Sequence, residues 1–137
     1  PVALVVRTGS ASITAVNGFW RALTFLHATN PRQLTGDMSD NNGLLSTPVG
    51  AYIVHYTDGS SERIPLAYRE NIAGINDPAL GPSMDPAIYG TLDNRHFVNL
   101  ASHTWINPRP DQPLRSVEVV AGPVQDSALL LFALTLE

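Results

Sequence analysis

The stretch from Val49 to Leu66, VGAYIVHYTDGSSERIPL, decides the fold. Tyr52, Val54 and Tyr56 occupy alternate positions, and aromatic and β-branched residues with a period of two are typical of a strand. Asp58-Gly59 follows as a turn signal, and a second short run of alternating residues comes directly after it. The stretch therefore predicts a β-hairpin.

Two registers of this hairpin agree with the sequence. A two-residue loop at Asp58-Gly59 would pair His55 with Glu62. A three-residue loop with Gly59 as a bulge would instead pair Tyr52 with Ile64. Local sequence leaves both registers open.

The whole chain, with the hairpin included, predicts about seven strands and little helix. Pro65 has no amide hydrogen, so its strand should lie at an edge or end there. The run Ala128–Leu134 is apolar on both faces and should form a central strand. Further strands are predicted at Ala3–Val6, Arg21–Ala28, Phe97–Trp105, Arg115–Ala121 and Ala128–Leu136, with an optional one at Ala11–Val16. Single helical turns are predicted at Asn17–Arg21 and Pro86–Tyr89.

Composition places this pattern in one globular domain. The 137 residues are 44% hydrophobic and only 15% charged, with 11 prolines and 10 glycines. Many short strands joined by wide turns predict an all-β antiparallel sandwich of the jelly-roll type with long loops. We expect a single domain over residues 1–137, excised from a larger protein.

Charge and missing residue types exclude several kinds of chemistry. The net charge of −4 argues against a nucleic-acid partner. There is no cysteine and no lysine, which removes thiol and Schiff-base chemistry. No apolar run approaches the length of a membrane span.

Two sets of residues could bind a metal ion. Asp37, Asp40 and Asn42 carry oxygen ligands of the kind that calcium takes, although the run is not an EF-hand loop. A solvated loop is the alternative for this run. The four histidines could serve a metal-dependent sandwich enzyme, although their spacing is not that of ligands; they are His27, His55, His96 and His103.

Two segments at strand ends combine aromatic and planar polar side chains, which suit a sugar ligand. Tyr68 and Trp105 would stack on the sugar rings. The remaining contacts would be hydrogen bonds from Arg69, Asn71, Asn107 and Arg109. The alternative for Trp105 is that it caps the core, and for Asn107 that it begins a turn.

The hairpin and the C-terminal segments also carry a family resemblance. The motifs are Gly50-x-Tyr52-x-Val54-x-Tyr56-x-Asp58-Gly59-Ser60, Ile64-Pro65-Leu66, Trp105-x-Asn107-Pro108-x-Pro110 and the strand Leu129–Leu136. Together they resemble the galactose-binding-like β-sandwich accessory modules of bacterial polysaccharide-active and surface proteins. The resemblance implies a jelly roll, glycan binding at loops or on a concave face, a structural calcium, and an extracellular or periplasmic location.

We therefore expect a non-catalytic carbohydrate-binding or accessory module whose partner is a polysaccharide or oligosaccharide, with no cofactor apart from the calcium. One alternative is a structural or interaction domain that packs against a neighbouring domain or a second copy of itself. The other is a small metal-dependent sandwich enzyme.

Overall fold

The computed structural model describes residues 4–31, 47–75, 81–91, 97–123 and 127–137. Nine strands lie in these residues, and none of the described residues is helical. The strands are β1 (Leu4–Arg7), β2 (Ala11–Gly18), β3 (Ala22–Pro31), β4 (Pro48–Tyr56), β5 (Ser61–Ala67), β6 (Asp85–Thr91), β7 (Phe97–Ile106), β8 (Leu114–Ala121) and β9 (Ser127–Leu136). Over the same residues, no helix is long and apolar enough to cross a membrane.

The strands form two antiparallel sheets. One has the order β1-β9-β3-β7-β6 and the other β2-β8-β4-β5. Consecutive strands often lie in different sheets, so the chain repeatedly crosses from one layer to the other. The predicted all-β antiparallel sandwich with little helix is confirmed.

Strand positions follow from the side chains that each strand carries. The apolar strand β9 lies between β1 and β3, which confirms its predicted central place. Since Pro65 cannot donate a backbone hydrogen bond, β5 tolerates it at the edge of its sheet, as predicted.

The core lies between the two sheets. Phe25 of β3 and Tyr52 of β4 stack across it with ring centroids 4.0 Å apart and an interplanar angle of 8°. Both rings are fully buried, as are Leu23, Leu66 and Leu129. Alternate residues of the strands therefore supply a continuous apolar layer.

The β4–β5 hairpin adopts the three-residue register. Tyr52 lies opposite Ile64, and the Tyr56 amide donates to Ser60 O at 2.9 Å. Gly59 has φ +88°, a left-handed conformation that favours glycine. The turn residue therefore selects one of the two registers that the sequence left open.

Replacing Gly59 with alanine should lower the free energy of unfolding by about 1–2 kcal/mol. A Cβ at this position meets no atom within 4 Å, so the cost comes from the backbone conformation alone. Gly59→Asn should cost less, because asparagine adopts this conformation more readily. Urea unfolding measures both variants, and equal losses for the two would contradict this explanation.

Two sequence predictions of local helix are wrong. Pro86–Tyr89 lies within strand β6, where Ile88 pairs with Leu100 of β7. Asn17 and Gly18 end strand β2 instead of starting a helical turn, and the Trp20 indole Nε1 donates to Val16 O at 2.7 Å. In both places pairing with a distant strand overrides local preference. The optional strand over Ala11–Val16 is confirmed and extends to Gly18.

Candidate functional site

The two loop segments predicted to bind sugar lie at opposite ends of β5. Asn71 accepts a hydrogen bond from the amide of Ala67, the last residue of β5. Arg109 donates to Ser60 Oγ, directly before the first residue of β5. The seven residues of the strand span about 20 Å, so the segments do not form one site.

The first segment is a turn packed into the core. Tyr68 is only 2% exposed, so its ring has no face available for a sugar, and the prediction that it stacks on a ligand is corrected. The Asn71 side chain accepts from the Ala67 amide at 2.9 Å and donates to Pro65 O at 2.8 Å. Arg69 has φ +62° and places its guanidinium 5.8 Å from the centroid of the Tyr68 ring. Asn71 holds the turn after β5.

Asn107 in the second segment is a buried connector. It is 4% exposed, and its Oδ1 accepts from the Tyr56 hydroxyl at 2.6 Å and from the Arg109 amide at 2.9 Å. Its Nδ2 donates to Trp20 O at 2.7 Å. The prediction that Asn107 contacts a ligand is corrected, because its amide group already joins three parts of the chain.

Arg109 extends this connection to the hairpin loop. Its guanidinium carbon lies 3.9 Å from the centroid of the Tyr56 ring, and its Nη1 donates to Ser60 Oγ at 2.9 Å. The carboxylates of Asp58 and Glu62 each lie 3.8 Å from it. Trp105 is partly buried and packs against the core, in agreement with the alternative that it caps the core.

The predicted metal ligands do not assemble a centre in the part of the chain that is described. Asp37, Asp40, Asn42 and His96 lie outside the described residues. Within the described ranges, no group of three or more histidine, aspartate or glutamate side chains could hold a metal ion.

His27 is instead a buried hydrogen-bonding residue. It is 1% exposed, and its Nε2 lies 2.7 Å from Asn71 O, which can only accept. Nε2 therefore carries the proton, and the Tyr52 hydroxyl donates to Nδ1 at 2.7 Å. Burial, and to a lesser extent the nearby His103, lower the pKa of His27 to about 4, although the bond to Asn71 opposes this. His27 is thus neutral at physiological pH.

A different set of residues forms an open groove on the outer face of the four-stranded sheet. The groove has a volume of about 410 Å³. Side chains from β2, β4 and β8 line it, namely Ile13, Ala15, Asn17, His55, Arg115, Ser116 and Glu118. We call this feature the outer groove.

Strand register explains why these side chains meet. Ala15 lies opposite Ser116, which in turn lies opposite His55. Two residues further along β2 and β8, Ile13 lies opposite Glu118. Residues two apart on a strand share a face, so both rows point away from the core.

The outer groove carries both charge signs and one apolar side chain. His55 Nε2 lies 3.4 Å from Glu118 Oε2, a contact that becomes an ion pair when the imidazole is protonated. Arg115 adds a cation, Asn17 adds a neutral amide, and Ile13 is 67% exposed. Within the described residues no hydrogen bond joins His55 to Ser116, so this serine is not placed as an activated nucleophile.

In the sequence, the outer-groove residues are separate positions on three different strands. The alternation of Ser116 and Glu118 with the valines of β8 indicates their outward face, and His55 shows the same pattern in β4. Their meeting depends on the pairing of β8 with both β2 and β4, which joins residues 61 to 105 positions apart. The alternation of polar and apolar residues indicates which face of each strand is outward, but it does not show that the outward residues meet in one site.

Comparison with protein-family models, with curated proteins and with solved structures gives no match. The fold and the geometry of the outer groove therefore carry the functional argument.

Proposed function

We propose that this chain is a non-catalytic binding module and that the outer groove binds a carbohydrate. The observation that carries the proposal is the convergence of five polar side chains beside an exposed aliphatic one on a single sheet face. This replaces the strand-end loops, where the predicted contacts Tyr68 and Asn107 are buried.

The chemistry of the outer groove suits neutral hydroxyl groups. A sugar hydroxyl both donates and accepts, so it can bridge a donor such as Arg115 and an acceptor such as Glu118. The exposed side chain of Ile13 offers a surface for the C–H groups of a sugar ring. A volume of about 410 Å³ lies within the usual range for small-ligand sites.

The strand order supports a jelly-roll topology as part of this proposal. With β6 set aside as an added edge strand, β1, β9, β3 and β7 face β2, β8, β4 and β5. Four strands facing four, with frequent crossing between sheets, is the arrangement of a jelly roll. We extend the proposal to a galactose-binding-like accessory module of an exported bacterial protein, for which a structural calcium remains a prediction.

Arg115→Ala and Glu118→Gln should each weaken glycan binding about 10- to 100-fold, because each removes a charge-assisted hydrogen bond. A glycan array identifies the oligosaccharide, and calorimetry with that oligosaccharide measures each variant. Arg7→Ala is the matched control, because Arg7 is exposed on the other sheet. Unchanged affinity in both groove variants, or no binding to any plant, algal or bacterial glycan, would refute the proposal.

A further inference from the structure

Among the described strands, four lie at sheet edges, and β2 is the least protected of them. Proteins usually guard strand edges with short strands, prolines or charges. Strand β1 has four residues and ends in Arg7, β5 contains Glu62, Arg63 and Pro65, and β6 begins with Asp85 and Pro86. Strand β2, ASITAVNG, has eight residues and neither charge nor proline.

Hydrogen-bond alternation identifies the backbone groups on the free edge of β2. Ser10 O accepts from the Ala121 amide, so at this position the two chains form a hydrogen-bonded pair. In an antiparallel ladder such pairs recur at every second residue, which places the backbone groups of Ser12 and Thr14 toward β8. The N–H and C=O groups of the alternate residues point away from the sheet; these residues are Ala11, Ile13 and Ala15.

These edge groups are accessible. Ala11, Ile13 and Ala15 are exposed, and no hydrogen bond from their outward N–H or C=O groups to another described residue is present. An extended strand is the partner that satisfies alternating donors and acceptors along such an edge.

We infer that β2 pairs antiparallel with β2 of a second copy of this chain, about a two-fold axis through Ile13. In this register each Ile13 faces the Ile13 of the second copy, and Ala11 faces Ala15. Ser12 faces Thr14 on the other side of the sheet, where their hydroxyls can hydrogen-bond. No position places two like charges together, so the strand is complementary to itself.

Pairing makes one continuous eight-stranded sheet from two four-stranded ones and places the two Ile13 side chains next to each other at its centre. Because Ile13 and Ala15 also line the outer groove, the two grooves come to lie side by side across the axis. A dimer would thus present two adjacent binding surfaces on one face. The pairing itself requires no ligand in the groove.

Sedimentation equilibrium of the purified chain without glycan tests the inference. The wild type should sediment with twice the mass of the 14.7 kDa chain, and Ala11→Pro should sediment as a monomer. Proline at this position removes an outward amide but no bond to β8, so the fold is retained. Ser61→Pro is the matched control, since it changes the first residue of the opposite edge strand β5 and should remain dimeric.

Amide hydrogen exchange of the wild-type protein provides a second readout. The Ile13 and Ala15 amides should exchange at least tenfold more slowly when concentration rises through the dimerisation range. The Thr14 amide, bonded to β8, should be protected at every concentration. A monomeric wild type, a dimeric Ala11→Pro variant, or rapid exchange of Ile13 and Ala15 at all concentrations would overturn the inference.

Discussion

Asn107→Ala should lower the free energy of unfolding by about 3–5 kcal/mol. The substitution removes the acceptor of the buried Tyr56 hydroxyl and of the Arg109 amide, and the donor to Trp20 O. Each buried polar group that loses its partner costs about 1–3 kcal/mol. Urea unfolding measures the loss.

The same substitution at an exposed site gives the control. Asn17→Ala in the outer groove should change stability by less than about 0.5 kcal/mol. Tyr56→Phe removes the hydroxyl that Asn107 accepts from, so the double variant should lose less than the sum of the single losses. Additive losses would show that this hydrogen bond contributes little.

The Asn107 connection shows how far sequence reasoning reaches at this end of the sandwich. Asn107 is a planar polar side chain before a proline, which suits both a ligand contact and the start of a turn. The structure adds a role that neither alternative contains, the buried hydrogen bond from Tyr56, which lies 51 residues away in the chain. The sequence around Asn107 gives no information about a contact with a residue so far away in the chain.

The fold was more predictable than the site. The hairpin, the central place of β9 and the edge place of β5 follow from local features, namely a period of two, an apolar run and one proline. Local sequence favours a helical turn at Pro86–Tyr89, and only the pairing with β7 makes this segment part of strand β6. The outer groove depends entirely on such pairings between distant strands.

His27 shows the same limit in the core. Its position inside an apolar strand favours a hydrogen-bonded core residue over a metal ligand. Burial keeps it neutral at physiological pH, and two partners from other elements, Tyr52 and Asn71, determine which nitrogen carries its proton. Burial also gives the residue a measurable effect on stability.

The wild type should lose about 3 kcal/mol of its free energy of unfolding through His27 alone as the pH falls from 8 to 4. In the unfolded chain the imidazole takes up a proton near pH 6.5, whereas in the folded chain the pKa of His27 is about 4. Protons therefore bind the unfolded state more tightly over this range, and stability that is present above pH 6.5 is lost toward pH 4.

His27→Gln isolates this contribution, because glutamine does not titrate while the carboxylates of the chain do so in both proteins. The variant should be less stable than the wild type at pH 8, and the difference should shrink by about 3 kcal/mol at pH 4. Asn17→Ala is the control and should retain the wild-type slope, because it changes no titratable group and His27 still titrates in it. Urea unfolding at each pH gives the three curves. Parallel curves for wild type and His27→Gln would mean that His27 takes up its proton equally readily in the folded and unfolded chains, contrary to its burial between Tyr52 and Asn71.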